Sequence, residues 1–292
     1  MVTAQYGLKD EVKHVITRRL FGALFLCVVP FIVQATESGL EDAVAGQEFL
    51  LRAAEYADYQ IPATERLSNQ QLTWAWSDGT TGRVTIGVDA SVESYVSDGV
   101  ANAVSAEVFE VAAELFYLSF PLDGGARAMT LIVDRLNGRV IAIESRRPAP
   151  DEGTHQAQVH LSQGTMSAST APPSELMPTD AMAGVRLIAH YADDIAYEHI
   201  YLNPHRVTWH GIDGPEAGVA DTEKYAGYQI RDNIYLVSWS EKVLTTHMIF
   251  VFDFETGHEI GTIFGYEPEH DKAVLETIGA KTQLLSAPWL QP

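Results

Sequence analysis

The residues best equipped for chemistry in this chain gather around one short segment, Val237-Ser238-Trp239-Ser240-Glu241. At a strand's period of two, Tyr235, Val237, Trp239 and Glu241 share a face. A second segment, Tyr197–Leu202, puts Tyr197, His199 and Tyr201 on one face and Glu198, Ile200 and Leu202 on the other. If both faces point inward, a carboxyl, an imidazole and several phenols share a pocket with an aromatic lining. Burial raises the pKa of such a carboxyl, which suits a general acid or base near neutral pH. The same residues could instead fill a core, with His199 as an interior histidine, and periodicity alone leaves both readings open. A metal site is a third reading, because His190, His199, His210 and His247 could converge from separate strands. Their spacings match no helical or knuckle ligand pattern, so no metal ligand is assigned. There is no G-x-S-x-G elbow, phosphate-binding G-x-x-x-x-G-K, G-x-G-x-x-G or H-E-x-x-H.

Strands must position these side chains. Val84–Val88, Glu107–Val111, Phe116–Phe120, Met129–Val133, Val140–Glu144, His199–Leu202, Val207–His210, Tyr235–Glu241, Met248–Phe254 and Glu259–Phe264 are short and rich in β-branched or aromatic residues. Turn signals such as Asp123-Gly124-Gly125, Asn137-Gly138 and Thr256-Gly257 separate them. Many short, evenly spaced strands predict an antiparallel sandwich or barrel. A helix is expected within Glu37–Tyr59, where Leu40, Val44, Phe49, Leu50 and Leu51 can share a face.

The strands also repeat. Tyr117-Leu118-Ser119-Phe120 resembles Leu236-Val237-Ser238-Trp239, and Val133–Gly138 resembles Phe252–Gly257, both at an offset of 119 residues. Phe109 and Tyr228 share that offset, while Leu72 and Leu187 pair at 115. A common register over so many strands predicts duplication of one β unit of roughly 100 residues, a size that suits a closed barrel of about eight strands. The expected organisation is 36–165, a linker over 166–181 rich in Ser, Thr, Pro and Ala, and 182–292.

Residues 1–35 read as an export signal. Lys9, Lys13, Arg18 and Arg19 precede the apolar stretch Gly22–Val33, and Val33-Gln34-Ala35 is a cleavage-like ending. Thr17-Arg18-Arg19-Leu20-Phe21 resembles a twin-arginine motif, and an uncleaved anchor is the alternative. The protein is therefore expected in the periplasm or outside the cell, with no stable membrane insertion once the signal is removed. The 292 residues carry a formal net charge of −20, which argues against nucleic acid and anionic membranes as partners. Cleavage after Ala35 would take the charge to −22 and remove Cys27, the sole cysteine. Thiol catalysis and thiolate metal sites are then excluded.

His190–Gly265, especially Tyr197–Asn203, Thr208-Trp209, Ala220-Asp221-Thr222, Leu236–Lys242 and Gly261–Gly265, resembles the C-terminal domain of the MoaF family. The weaker repeat, roughly Gly46–Gly164, is similar to the family's N-terminal domain. This resemblance implies an all-β protein of two tandem lipocalin-like (calycin) antiparallel barrels, with a short N-terminal helix after the signal peptide. Val237–Glu241 is also similar to the V-S-W-T-E strand of phenolic acid decarboxylases, which implies a catalytic role for Glu241. Tyr191 then matches the second tyrosine of that family's Tyr-x-Tyr, with Ala189 in place of the first. The family's substrate-binding arginine has no counterpart in Ala217–Asp221, for which Arg206 or Arg186 could substitute. In the first repeat Leu122 stands where the second has Glu241, so the chemistry belongs to the second.

Together these readings predict a small-molecule ligand, apolar or aromatic, in the second barrel. Glu241 is the expected general acid/base, and Tyr191, His199 and Tyr201 orient the ligand or share its proton. Tyr197, Trp209, Tyr235, Val237, Trp239 and Arg206 are expected to contact it. The chemistry is lyase or isomerase chemistry without a cofactor. The alternatives are a non-catalytic lipocalin-type binding protein and an accessory protein linked to molybdenum cofactor biosynthesis.

Overall fold

A computed structural model describes residues 52–290, apart from 98–99, 150, 155, 168–174, 243 and 268–271. The export signal and the helix expected from Glu37 onward fall outside the described residues, except for the end of that helix, which is a short 3-10 turn at Ala53–Glu55. The rest is almost entirely antiparallel β-structure, in two successive sets of strands.

In the first set, β1 (Gln71–Trp76), β2 (Thr81–Ile86), β3 (Val92–Ser97) and β4 (Val100–Ala103) are followed by β5 (Phe109–Ala112), β6 (Leu115–Leu122), β7 (Arg127–Asp134), β8 (Arg139–Arg146) and β9 (Gln158–Met166). The second set is β10 (Arg186–Ala192), β11 (Ile195–Asn203), β12 (Arg206–Asp213), β13 (Ala220–Arg231), β14 (Ile234–Ser240), β15 (Thr246–Asp253), β16 (His258–Glu267) and β17 (Lys272–Ser286). β10 to β17 pair in chain order, and β17 returns to β10, so the second set is a closed up-and-down barrel of eight strands.

The first set follows the same plan but does not close. Its order is β4-β3-β2-β1-β9-β8-β7-β6-β5, with β1 paired to β9 as β10 is to β17. Shifted back by the 119-residue offset, the long β13 falls on 101–112, the stretch divided between β4 and β5. β4 pairs with β3 and β5 with β6, so the ring is split along that one strand. The repeat is visible in side-chain detail too. Asp134 and Asp253, both buried, end equivalent strands and accept from the turn that follows, Asp134 from the Asn137 N–H and Asp253 from the Glu255 and Thr256 N–H groups. Each turn ends at a glycine of positive φ, 61° at Gly138 and 71° at Gly257, where a side chain would be strained.

The expected inward faces are the observed ones. Tyr197, His199 and Tyr201 of β11 and Tyr235, Val237 and Trp239 of β14 are buried, and the barrel core holds them with Phe250 and Phe252 of β15. β14 and β15 are also covered on their outer faces. Leu236, Ile249, Val251 and Ile260 pack there against Tyr117, Ile132, Ile141 and Ile143 of the first sheet. The two repeats therefore meet through sheet faces over a largely aliphatic layer, with buried hydrogen bonds between Tyr117 and Thr262 and between Ser145 and His247. β15 is buried at every position for this reason, as a strand covered on both sides must be.

A segment N-terminal to both sheets crosses to the barrel. The Gly279 N–H donates to the Tyr56 carbonyl at 3.0 Å, the Tyr59 N–H to the Tyr191 carbonyl at 3.1 Å, and Gln60 Nε2 to the Thr277 carbonyl at 3.0 Å. The Tyr59 hydroxyl donates to Asp193, and Lys281 Nζ lies 3.9 Å from the Tyr59 ring centre. Gly279 permits this approach, because a Cβ there would stand 2.6 Å from the Gln60 Cα. This strap, residues 52–60, places Tyr56 in the barrel core, 1% exposed.

Candidate functional site

Where β14 ends, the alternation that points Trp239 inward carries Glu241 the same way. Trp239 Nε1 donates to Glu241 Oε1 at 2.7 Å, and Trp209 Nε1, from β12, donates to Oε2 at 3.3 Å. The carboxylate is thus fixed by two indoles on strands separated in the ring. It borders a cavity of about 40 Å³ lined by Tyr56, Tyr191, Tyr197, His199, Trp209 and Trp239, among others. Burial raises the Glu241 pKa, the nearby Glu216 charge adds to the rise, and the indole hydrogen bond opposes it. Glu223 of β13 is a further acidic neighbour, likewise raised by burial and by the charge of Glu241.

Glu216 enters from the loop between β12 and β13, which folds back over Gly211. A Cβ on Gly211 would meet the Glu216 carbonyl oxygen at 2.1 Å, so the loop can lie down only on a glycine. The Tyr197 hydroxyl donates to Glu216 Oε2 at 2.9 Å. With its proton so committed, Tyr197 accepts from the Tyr56 hydroxyl at 2.7 Å. Glu216 is 6% exposed, and burial pushes its pKa up to about 7.

Farther along the barrel interior, the Tyr191 hydroxyl donates to Glu259 Oε1 at 2.5 Å. Glu259 is 1% exposed, and burial pushes it up to about 8. Its Oε2, His199 Nδ1 and the Tyr201 hydroxyl are buried without a hydrogen-bond partner among the described residues. His199 is wedged edge-on among Trp239, Phe250 and Tyr201, and burial lowers its pKa to about 3. At neutral pH it is an uncharged imidazole.

The structure therefore gathers Glu241, Tyr191, His199, Tyr197, Trp209 and Trp239 around one cavity. Tyr201 and Val237 sit in the surrounding barrel core and do not line it. Tyr235 lies elsewhere in that core, stacked on Trp289 at 5.8 Å. Arg206 is not brought to the cavity: β12 turns Val207 inward, so Arg206 is exposed on the outside. Arg186 is also turned away and engages Glu198. Among the described residues no group of three or more His, Cys, Asp or Glu is arranged to hold a metal ion.

Four contributors escaped sequence reasoning: Tyr56, Glu216, Glu223 and Glu259. Glu259 shares strand parity with Gly261 and inward-facing Ile263, a signal the sequence does contain. Tyr56 and Glu216 come from segments without strand periodicity.

A family model for the MoaF C-terminal domain matches residues 176–288, the span of the closed barrel. The barrel is similar to the MoaF C-terminal domain. The chain is 33% identical to Protein MoaF of Klebsiella aerogenes over 109 residues, which are 37% of this chain and 42% of that protein. The match thus spans less than half the length of this MoaF relative. A solved structure from Burkholderia vietnamiensis, described as a candidate beta-lactamase, aligns with 36% of this chain and 95% of its own at 14% identity and a TM-score of 0.31. Nothing here rests on that second likeness. Every lining residue of the cavity except Tyr56 falls within the matched residues.

Proposed function

We propose that this chain is an exported protein whose MoaF C-terminal domain binds a small ligand with an apolar or aromatic body, and that Glu241 serves there as a cofactor-independent general acid/base. The reading rests on one observation above others: a carboxyl held by two indole N–H groups borders a cavity walled by aromatic side chains. With its pKa raised toward neutrality, such a group can deliver a proton to carbon or remove one beside an activated carbonyl, as lyase or isomerase chemistry requires. Tyr191 and Tyr197 lend hydroxyls to orientation, and neutral His199 offers a hydrogen bond from Nδ1 or to it.

The cavity, about 40 Å³, is smaller than the roughly 150 Å³ in which a benzene ring is held. A ligand with an aromatic body therefore needs a lining side chain to move, and Tyr56, carried on the strap, is the one proposed to withdraw. That enclosure also supports a second reading, a carrier that sequesters its ligand without reacting it. Denaturing extraction of freshly purified protein, followed by mass spectrometry, supplies the compound that separates the two. Conversion of that compound by the native chain, lost in Glu241→Gln while binding persists, is the result expected of an acid/base. Return of the compound unchanged, with Glu241→Gln indistinguishable from native, would establish carriage. Export is tested by mapping the N-terminus of the mature protein, with cleavage after Ala35 as the expected outcome.

A further inference from the structure

The charged side chains that line the cavity, among the described residues, are both acidic: Glu216 and Glu241. Glu216 takes a phenol and Glu241 two indoles, and Glu241 also hydrogen-bonds the carboxyl of Glu223. The nearest cation in sequence, Lys242, sends its Nζ to Asp221 at 2.6 Å and to Glu223 at 3.8 Å, and it does not line the cavity. Arg206 and Arg186 are on the outer surface. The Lys242 charge reaches Glu241 from outside the cavity, but carboxyls withdrawn from water and hydrogen-bonded mainly to neutral groups still carry a desolvation cost, which an incoming cation relieves and an incoming anion aggravates. The remaining wall is largely aromatic, and aromatic rings attract cations for reasons independent of the carboxyls. His199, also at the wall, is neutral and does not oppose a positive guest.

We propose that the cavity recognises a small organic ammonium ion, its positive end set between Glu216 and Glu241 and its body against the aromatic wall. The inference rests on the reading of this cavity as a ligand site and supplies the charge of the ligand. It narrows the expected apolar or aromatic ligand to one that carries a protonated amine.

Three probes of one shape and different charge decide it: benzylammonium, benzyl alcohol and benzoate. They are titrated calorimetrically near neutral pH into the native chain and into Tyr56→Ala, which widens the cavity. Gly279→Ala, which unseats the strap from the β17 side, replaces Tyr56→Ala if that variant melts below the working temperature. The expected order is benzylammonium at least tenfold tighter than benzyl alcohol, with benzoate weakest. Glu216→Gln combined with Glu241→Gln should abolish the preference for the ammonium ion while a cooperative melt shows the barrel intact. Benzyl alcohol or benzoate binding as tightly as benzylammonium would overturn the inference and leave the ligand site standing. Absence of binding by all three, in native and widened forms alike, would overturn the inference and the ligand site together.

Discussion

Glu259 takes the Tyr191 hydroxyl on one oxygen and buries the other without a partner among the described residues. Its pKa rises from an ordinary 4.5 to about 8 because the ionised form loses its hydration. A carboxyl whose pKa is raised on folding stabilises the fold fully below its unfolded pKa, and that contribution is lost as pH rises through the folded value. The window here runs from about 4.5 to about 8, with a slope approaching roughly 1.4 kcal/mol per pH unit for a single group. Glu259→Gln removes this proton linkage, so its stability should fall less steeply across that window than that of the native chain. Urea denaturation at pH 5, 7 and 9 checks the expectation, and parallel pH profiles for the two proteins would refute it. Strand parity made part of this chemistry legible. Alternation along Tyr197–Leu202 and Tyr235–Glu241 correctly turned the aromatics and His199 inward. Arg206 fails by the same rule, since its neighbour Val207 takes the inward position. Glu216 was hidden because a loop, which has no period, delivers it.

Among the elements, the strap has the most direct consequence for the site. Its contacts with β10 and β17 hold Tyr56 against Tyr191 and Tyr197, with ring centres 5.3 Å and 5.9 Å away. Gly279→Ala puts a methyl 2.6 Å from the Gln60 Cα, which the strap can relieve only by lifting. Ligand association should therefore accelerate in Gly279→Ala, and in Tyr56→Ala as well. Truncating such a buried ring costs about 3–5 kcal/mol of stability. Stopped-flow mixing with benzylammonium would show the effect, and unchanged association rates in both variants would mean that the strap does not control entry. Strands with a strong apolar run, β6, β7, β8, β14 and β15, were plain in the sequence because the shared layer between the sheets makes them apolar on both faces. β13 and β17 were not. Along β13, Glu223 shares an inward face with Tyr225 and Gly227, and along β17 half-buried Glu276 lies between Val274 and Ile278, so alternation of apolar and polar residues is blurred.

For the whole molecule, the face-to-face contact of the two repeats is pinned at one end by charge. Asp134, fully buried in the first repeat, receives Arg231 of β13 at 2.6 Å and Arg139 of β8 at 3.3 Å. Arg231 also donates to the Ala113 carbonyl at 2.7 Å. Although burial opposes it, the arginines and Asn137 together hold the Asp134 carboxyl below its ordinary pKa. A depressed carboxyl gives stability present above its unfolded pKa and lost as pH falls through the folded value. Asp134→Ala would leave two guanidinium groups without their anion and should cost about 3–5 kcal/mol at neutral pH. The cost should shrink on acidification below about pH 4, because the native chain then loses the same interaction. An undiminished difference in urea midpoints between pH 7 and pH 3 would contradict this. The duplication itself was readable as an offset of 119 residues that drifts to 115 upstream, whereas the split of the first ring was not, because β4 and β5 are individually ordinary strands.

The strap also closes a longer loop than the barrel that it caps. Hairpins between successive strands join near neighbours, and ring closure joins β10 to β17 across about 100 residues. Tyr56 meets Tyr197 across 141 residues, a longer loop to close than any of these. A chain that assembles from short loops to long ones completes the vessel before inserting its stopper. In such a chain the strands already enclose the cavity while it is still open where Tyr56 will sit.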